Sequence, residues 1–407
     1  MLNLGVAVMY KKSLNYFSGV KNVNNTINKP FNNLTVKFLA TLSKLIIDNK
    51  ENRNYPDLIT FAFWIRDSKI QFIKKKFDNL ESKVSKGIIF HISPSNVPLN
   101  FAYSFVFGLL TGNSNILKLP NKNFPQVKIF CELINHLFNM KEFNQLKNKN
   151  SFIKYDSTIT EITKDYSLKA DVRIIWGGDN TVKSVKKLDT SLKNIDIVFS
   201  DRTSIAVLDI SENILKKNIS FDGLAQKFYN DTFLMDQNAC SSPHILVWLG
   251  KKKNIIKFQE KFWNSILKLV KQKYDMPLIA SIDKLDLACE DSVRYKKYIN
   301  EIINYDNFIT RVLLKSTPDD LSKLRGKFGY FYEINSDNLE NIIGKLNEKF
   351  QTLTYFNIDK SKIHNLLLNN QKYAIDRIVP IGSALEMDFL WDGYDLLNIL
   401  TRQITIN

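Results

Sequence analysis

The chain has 407 residues, of which 44% are hydrophobic and 12% aromatic, and it carries a formal net charge of +16. This composition excludes a generally disordered protein, and the length predicts two domains rather than one. The charge suits nucleic acid, a membrane surface, polyanionic small molecules or acidic carriers. Lysine and arginine are spread along the whole chain, which favours a solvated basic surface over a specific nucleic-acid site.

The three cysteines, Cys131, Cys240 and Cys289, stand far apart and form no Cys-x-x-Cys pair. The four histidines are scattered as well. Neither a disulfide framework nor a metal site is predicted, and a reducing compartment, the cytoplasm, is the expected location. No basic, apolar secretory signal opens the sequence.

Residues 87–117 contain no charged side chain and are long enough to span a bilayer. The stretch "HISPSNVPLN" inside this segment contains two prolines, two serines and two asparagines. Such a polar, proline-containing interior is typical of a loop. We therefore predict a buried strand, a turn and a buried helix in a soluble protein, with no membrane span.

The predicted elements begin with helices at "TVKFLATLSKLIIDN" and "LITFAFWIRDSKIQFIKKKF", within an N-terminal helical extension over residues 1–84. Four strands follow, separated by amphipathic helices; they are "GIIFHI", "NILKL", "VRIIW" and "IDIVF". Strands that alternate with helices predict right-handed crossovers and a parallel sheet. A second α/β region follows, with the strands "HILVWLG" and "QTLTYFNI" and helices at "NIIKFQEKFWNSILKLVKQKY", "ENIIGKLNEKF" and "KSKIHNLLLNNQ".

Four short motifs occur in order along the chain. They are Pro94-Ser-Asn-Val-Pro98, Gly112-Asn113 followed by Lys118, "IIWGGDNTVKSV", and "QNACSSPHILVWLG". As an ordered set they resemble the aldehyde dehydrogenase superfamily. Within it, "HISPSNVP", "CSSPH" and the ending "DRIVPIGSALEMDFLWDGYDLLNILTRQI" are similar to the LuxC-type long-chain fatty acyl-CoA reductases.

The resemblance implies an aldehyde-dehydrogenase-like α/β fold, with a parallel-sheet nucleotide-binding domain plus an α/β catalytic domain. We expect the nucleotide-binding domain over residues 85–225 and the catalytic domain over 226–370. Residues 371–407 are expected to form a C-terminal segment that returns to the body of the fold.

The resemblance also implies a reaction, the NADPH-dependent reduction of a fatty acyl thioester to a fatty aldehyde through an S-acyl-cysteine. Cys240 would be the nucleophile, and the Asn96 amide would stabilise the oxyanion together with the backbone N–H of Cys240. Lys118 would bind the adenosine ribose or its 2′-phosphate. Gly177 and Gly178 would let backbone amides and a helix N-terminus approach the pyrophosphate.

Two departures from the oxidising aldehyde dehydrogenases indicate the direction of the reaction and the cofactor. Val198 stands where those enzymes have the glutamate that activates water, so hydrolysis of the acyl enzyme is not favoured. The run Lys118-Leu-Pro-Asn121-Lys122 lacks the acid that accepts from the ribose hydroxyls and adds a second cation. This combination favours NADPH over NADH.

The expected partners are a fatty acyl-CoA or acyl-carrier substrate, an acyl-protein synthetase and other copies of the same chain. Two alternatives stay open. One is an NAD-dependent aldehyde dehydrogenase or short-chain acylating reductase; the other is a non-catalytic basic binding protein.

Several residues also have a purely structural interpretation. Cys240 could be a buried thiol, Asn96 could brace a proline-flanked turn, and Lys118 could be a surface lysine at a strand end. His91 could approach the cofactor or be a satisfied buried histidine, and His244 is expected to support the strand that it begins. Cys131 and Cys289 are expected to be packing residues, and "WDGYD" (391–395) a turn packed against the sheet.

Overall fold

The computed structural model describes residues 13–95, 97–211, 214, 218–371 and 373–405. The chain divides into two compact units, one formed by Met1–Ser200 with Met387–Asn407 and the other by Asp201–Glu386. These units are defined by packing, so the functional boundaries predicted after residues 84, 225 and 370 stay a prediction. Each unit is an α/β structure built on its own sheet.

The first unit contains a six-stranded sheet in the order β1-β5-β4-β3-β6-β7. Its neighbouring strands run parallel except at one edge, where β1 is antiparallel to β5. The strands of this unit up to residue 200 are β1 (Asn15–Gly19), β2 (Lys83–Ser85), β3 (Ile88–Ile92), β4 (Ser114–Lys118), β5 (Asn150–Lys154), β6 (Val172–Trp176) and β7 (Ile195–Phe199).

Eight α-helices accompany this sheet in the described part of the unit up to residue 200. They are α1 (Asn33–Asp48), α2 (Pro56–Trp64), α3 (Asp67–Lys74), α4 (Asn100–Leu110), α5 (Pro125–Asn139), α6 (Asn144–Lys147), α7 (Thr160–Lys169) and α8 (Asp179–Lys186). Local sequence explains several starts: the Asn32 side chain caps α1, and proline occupies the first turn of α2 and α5.

Both faces of the first sheet are covered by apolar residues, as parallel strands require. Ile89 and Leu117 belong to the larger core on one face, while Phe90 and Ile116 belong to a smaller core on the other. The uncharged segment 87–117 is therefore the buried strand β3, the buried helix α4 and the buried strand β4, as predicted. Among the described residues, no helix has both the length and the apolar character needed to cross a bilayer.

The second unit contains a seven-stranded sheet in the order β10-β11-β12-β9-β8-β13-β14, parallel except for the edge strand β10. Its strands are β8 (Thr203–Asp209), β9 (Pro243–Leu249), β10 (Ile299–Tyr305), β11 (Ile309–Leu314), β12 (Tyr330–Ser336), β13 (Phe350–Phe356) and β14 (Arg377–Pro380). Its described helices of five residues or more are α9 (Phe221–Thr232), α10 (Lys252–Lys273), α11 (Leu278–Arg294), α12 (Leu339–Ile343) and α13 (Lys360–Asn369).

The prediction of one helix over "ENIIGKLNEKF" (340–350) is wrong for most of its length. The helix α12 ends at Ile343, and turns lead from there into β13 at Phe350. Gly344 follows the helix directly, and glycine is a poor helix former.

The C-terminal residues 387–407 belong to the first unit. They contain β15 (Leu390–Trp391), β16 (Tyr394–Asp395), α14 (Leu396–Leu400) and β17 (Thr401–Gln403), and β17 pairs with β2. The Trp64 indole N–H donates to the Met387 carbonyl at 2.7 Å. Trp391 is 5% exposed and lies in the larger core of this unit, so the predicted packed turn at 391–395 is confirmed.

Candidate active site

The candidate nucleotide-binding residues of the first unit follow the carboxyl ends of parallel strands. Lys118 ends β4, while Gly177 and Gly178 come directly after β6. Because β4, β3 and β6 are neighbouring parallel strands, these residues lie at one edge of the sheet. This is the edge at which open α/β sheets bind ligands. Asn96 lies outside the described residues, so its predicted oxyanion role is not tested.

Lys118 is 4% exposed, which excludes the interpretation as a surface lysine. Its Nζ donates to Ser157 Oγ at 3.1 Å and to Asn121 Oδ1 at 3.4 Å, and it lies 5.1 Å from the centre of the Tyr155 ring. Burial lowers the pKa of Lys118 to about 8, and the nearby Asp156 opposes this shift. The amine thus remains mainly protonated at neutral pH and can donate to an oxygen-rich ligand.

Sequence reasoning missed the residues that β5 brings to Lys118. Ser157 and Asp156 follow the end of β5, and Ser157 also accepts from the Asn121 amide at 2.9 Å. Asp156 is exposed, and its Oδ1 accepts from the Thr158 N–H at 2.9 Å. An acid therefore lies near Lys118. It follows β5 and does not belong to the sequence motif that contains Lys118. The available signal was that β5 follows β4 along the chain. The sequence analysis predicts no strand at Asn150–Lys154, so the residues after β5 were not connected with Lys118.

Gly177 and Gly178 form the turn between β6 and α8. A side-chain carbon added to Gly178 would meet no atom within 4 Å, whereas one added to Gly177 would lie 3.2 Å from Thr181. Gly178 is the residue immediately before α8, so open space adjoins the N-terminus of that helix. The first helical N–H groups there have no intrahelical acceptors and suit an anion. Asp179 in the same turn is an opposing charge.

His91 is a satisfied buried histidine. It is fully buried in β3, with Nδ1 2.7 Å from Ser104 Oγ and Nε2 3.1 Å from Asn115 Oδ1. The amide oxygen only accepts, so Nε2 carries the proton and Nδ1 accepts from the Ser104 hydroxyl. Burial lowers the pKa of His91 to about 4. This histidine supports the fold, with both ring nitrogens engaged by neutral groups.

Cys240 lies in the second unit, in a turn that ends at the start of β9. The Ser242 N–H donates to the Ala239 carbonyl at 2.9 Å across this turn. Ser204, fully buried near the start of β8, donates from Oγ to the Cys240 carbonyl at 2.6 Å and accepts from the Thr352 N–H at 3.1 Å. Cys240 itself is half-buried, which distinguishes it from a core thiol.

The residues before the cysteine form a rigid approach to it. Asp236 and Gln237 have φ values of 51° and 61°, in the left-handed region that non-glycine residues seldom adopt. The Gln237 side chain is 1% exposed; its amide N–H donates to the Pro243 and Tyr330 carbonyls, each at 3.1 Å, and its oxygen accepts from Gly329 N–H at 3.1 Å. Gln237 thus fixes the loop to β9 and β12 and maintains the strained backbone.

His244 supports β9 and is unsuited to proton transfer near neutral pH. It is 3% exposed, and burial, then the charge of Arg325, lowers its pKa to about 3. An effective general base has a pKa near the working pH. This environment agrees with the expectation that His244 supports the strand that it begins.

The other two cysteines, Cys131 and Cys289, differ in burial. Cys131 in α5 is 4% exposed, and burial raises the pKa of its thiol to about 12, so the predicted packing role is confirmed. Cys289 is exposed on α11, so the prediction that it packs is wrong. The sequence "LDLACED" around it looks like a core-facing helix, but the buried positions of α11 lie on its opposite face.

A model of the acyl-CoA reductase (LuxC) family matches residues 66–284. The chain belongs to the acyl-CoA reductase (LuxC) family. The matched region contains Lys118, Gly177, Gly178 and Cys240, together with the strands that carry them.

A long-chain acyl-protein thioester reductase 2 from Photobacterium leiognathi is 28% identical over 166 residues, which cover 40% of this chain. The aligned part spans 32% of the length of that relative.

Several solved aldehyde dehydrogenases share this fold. A glyceraldehyde-3-phosphate dehydrogenase GapN from Methanocaldococcus jannaschii, complexed with NADP, aligns with a TM-score of 0.62 and 14% identity, covering 92% of this chain and 89% of its own. An indole-3-acetaldehyde dehydrogenase complexed with NAD+ aligns with a TM-score of 0.62 and 12% identity, covering 90% and 83%. The predicted aldehyde-dehydrogenase-like α/β fold is confirmed.

Proposed function

We propose that this protein reduces a fatty acyl thioester to a fatty aldehyde, with Cys240 as the nucleophile and NADPH as the reductant. The observation that carries the proposal is the half-buried Cys240 on a hydrogen-bonded turn, in a chain of the acyl-CoA reductase family. The family description and the name of the Photobacterium relative support a thioester substrate.

The Cys240 thiolate would attack the acyl carbonyl carbon. A bond then forms between Sγ and that carbon while the bond to the departing sulfur breaks, and coenzyme A or a carrier leaves as a thiol after taking up one proton. Asn96 and the backbone N–H of Cys240 would donate to the oxyanion. Each such donor contributes on the order of 10²–10³ to turnover.

The residues around Lys118 fit a nicotinamide dinucleotide. A protonated amine, a serine hydroxyl and an amide side chain converge at the end of β4 and β5, and open space adjoins Gly178 at the N-terminus of α8. Lys118 and Ser157 would bind the adenosine ribose or its 2′-phosphate, and the Gly177-Gly178 turn would bind the pyrophosphate. NADPH, when bound, supplies the hydride that converts the acyl group into the aldehyde.

Val198 supports the direction of reduction. This residue of β7 is half-buried. When the sequence motifs are matched with those of the oxidising aldehyde dehydrogenases, Val198 stands at the position of their water-activating glutamate. A valine has no group that deprotonates water, so the S-acyl enzyme would persist until it is reduced.

The basic chain, with its net charge of +16, suits the phosphates of coenzyme A or an acidic acyl carrier, and an acyl-protein synthetase could deliver the acyl group. We place the activity in the cytoplasm, where the thiol stays reduced.

Product analysis tests the proposal. The protein is incubated with a long-chain acyl-CoA and NADPH, and aldehyde, free coenzyme A and NADP+ are quantified; equal amounts of the three are expected. The reverse assay supplies aldehyde and NAD(P)+ without coenzyme A. Acid formation in that assay would instead indicate an aldehyde dehydrogenase, while no turnover in either assay and salt-dependent DNA binding would indicate a basic binding protein.

A further inference from the structure

The helix α11 of the second unit exposes a row of large apolar residues, while two charged residues are buried beside Leu287 on its inner face. Lys284 and Asp291 are buried, 4% and 1% exposed. The Lys284 amine donates to the Asn307 carbonyl, and Asp291 Oδ2 accepts from the hydroxyls of Tyr330 and Tyr332 at 2.8 and 2.6 Å. These bonds fix the rotation of the helix about its axis.

The outward face carries an apolar row that we call the outer stripe, made of Leu278, Ile282, Leu285, Cys289 and Val293. The four aliphatic members are between 57% and 94% exposed, and Cys289 is exposed too. Spacings of four, three, four and four residues place all five on one side of an α-helix. A row of this spacing is typical of a helix that packs against another helix.

Turning this stripe inward would expose Ala280 and Leu287 and would remove Lys284 and Asp291 from their partners. An exposed apolar row on a rigid helix therefore indicates a surface that another molecule covers.

We propose that the outer stripe packs against the outer stripe of a second copy of this chain, with the two helices antiparallel about a two-fold axis next to Leu285. The stripe is symmetric about this point. Leu278 then meets Val293 of the other copy, Ile282 meets Cys289, and the two Leu285 side chains meet each other. A self-complementary patch of this kind suits a two-fold interface.

The charges beyond the two ends of α11 favour the antiparallel arrangement. Asp275 precedes the helix and Lys296 follows it, and both are exposed. The antiparallel contact places Asp275 beside Lys296 of the other copy, whereas a parallel contact places like charges together. Lys271, near the same end, is already paired with Asp306 at 2.6 Å.

The buried area is sufficient for a specific contact. At roughly 100 Å² of apolar surface for each aliphatic or sulfur side chain, two stripes of five residues lose about 1,000 Å² together. This area reaches the minimum of about 1,000 Å² expected of a biological interface, and the flanking Ile279, 56% exposed, adds to it.

Cysteine cross-linking tests the geometry. In a Cys240→Ala background, Ile282→Cys is expected to form an intermolecular disulfide with the native Cys289 of the other copy under mild oxidation. The background protein alone, and Ile282→Cys combined with Cys289→Ser, should remain uncross-linked on a non-reducing gel. Absence of the disulfide, or a Cys289–Cys289 cross-link in the background protein, would overturn the antiparallel pairing.

Mass measurement in solution tests the interface itself. Leu285→Asp is expected to halve the mass of the assembly, measured by light scattering, with an unchanged circular dichroism spectrum. Leu368→Asp is the matched control, because Leu368 on α13 is 62% exposed and Leu285 is 64% exposed. A monomeric wild type, or an assembly that both substitutions leave intact, would overturn the proposal. Neither measurement depends on catalytic activity, so the proposed reaction and this interface stand or fall separately.

Discussion

The Cys240 turn depends on residues that are distant in sequence. Ser204 binds its carbonyl from β8, and Gln237 fixes the preceding loop to Gly329 and Tyr330. Neither side chain contacts the reacting atoms in the proposed mechanism; both are positioning residues. A thiol held within a narrow range of positions loses little freedom when it attacks a substrate.

Removal of the Ser204 hydroxyl tests this positioning role. For Ser204→Ala we expect kcat for acyl-CoA reduction to fall about tenfold with little change in KM, because the thiol is misplaced while substrate contacts persist. The measurement is steady-state kinetics, with the spectrum in the far ultraviolet as a check of folding. Ser292→Ala, which removes an exposed helix hydroxyl bonded to Ala288, is the control and should leave kcat unchanged. A rise in KM at constant kcat would contradict the account.

Lys118 and Asp156 should set cofactor preference in opposite directions. Loss of the Lys118 amine removes a charged donor, so Lys118→Ala should lower kcat/KM for NADPH on the order of 10–100-fold, and less for NADH. Asp156→Asn removes an exposed negative charge and should raise the ratio of NADPH to NADH efficiency by about two- to fivefold. Kinetics with both cofactors measure both effects. Equal losses for the two cofactors in Lys118→Ala would assign this amine to the ribose rather than the 2′-phosphate.

At the scale of elements, a buried ion pair joins two neighbouring strands of the second sheet, β11 and β12. Glu333 on β12 is 2% exposed and accepts from Arg311 on β11, from the Trp248 indole at 2.7 Å and from the Gln259 amide at 2.7 Å. Arg311 also donates to the Tyr305 hydroxyl at 3.0 Å. The Glu333 carboxylate thus joins β12 to β11, β9 and α10, and Arg311 extends the network to β10.

Glu333→Gln should destabilise the second unit strongly. The substitution leaves the Arg311 charge buried without a counter-charge, which costs about 3–5 kcal/mol. Thermal unfolding followed by circular dichroism measures the loss. Glu142→Gln breaks an exposed ion pair with Lys37 and should cost less than about 1 kcal/mol. Similar melting temperatures for the two variants would refute the structural role of Glu333.

The elements that the sequence predicts are those whose pattern is local. Strands β3, β4, β6, β7 and β9 are mainly apolar runs followed by turns, and each is predictable from its own residues, although β6 and β7 carry Arg173 and Asp196, which pair at 2.7 Å. Strands β11 and β12 also carry interior charges, Arg311 and Glu333, and the sequence analysis predicts neither of these strands. The edge strand β10 is half exposed and has no clear period.

The same distinction applies to the candidate site. Cys240, Lys118 and the Gly177-Gly178 turn lie in contiguous motifs and could be selected from sequence. Ser157 and Asp156 come close to Lys118, and Ser204 binds the Cys240 turn, through pairing between strands that no local pattern reveals. The outer stripe of α11 misled the sequence analysis for Cys289, because an apolar row is normally directed to the core of its own chain.

At the scale of the whole molecule, stability should fall in mild acid. The pKa of His91 is about 4 in the folded protein against 6.5 for a free histidine, because the ring is buried among neutral groups. Between these values the unfolded chain binds more protons, so the free energy of unfolding decreases as pH falls from about 6.5 to 4. The full effect is on the order of 3 kcal/mol. His244, whose pKa is also lowered, acts in the same direction.

Melting temperatures at several pH values between 7.5 and 4.5 measure this dependence. His91→Gln keeps a polar side chain but cannot titrate, so its stability should decline less steeply than that of wild type, with the difference growing below pH about 6.5. Curves that stay parallel over this range would show that His91 is not the group responsible.

The most direct test of the account asks whether Cys240 carries the acyl group. Wild type and Cys240→Ala are incubated with a long-chain acyl-CoA without reductant, and the intact protein mass is measured. We predict one acyl adduct on wild type, none on Cys240→Ala, and loss of the adduct with release of aldehyde when NADPH is added. No adduct on wild type across several chain lengths, or the same adduct on both proteins, would contradict the proposed function.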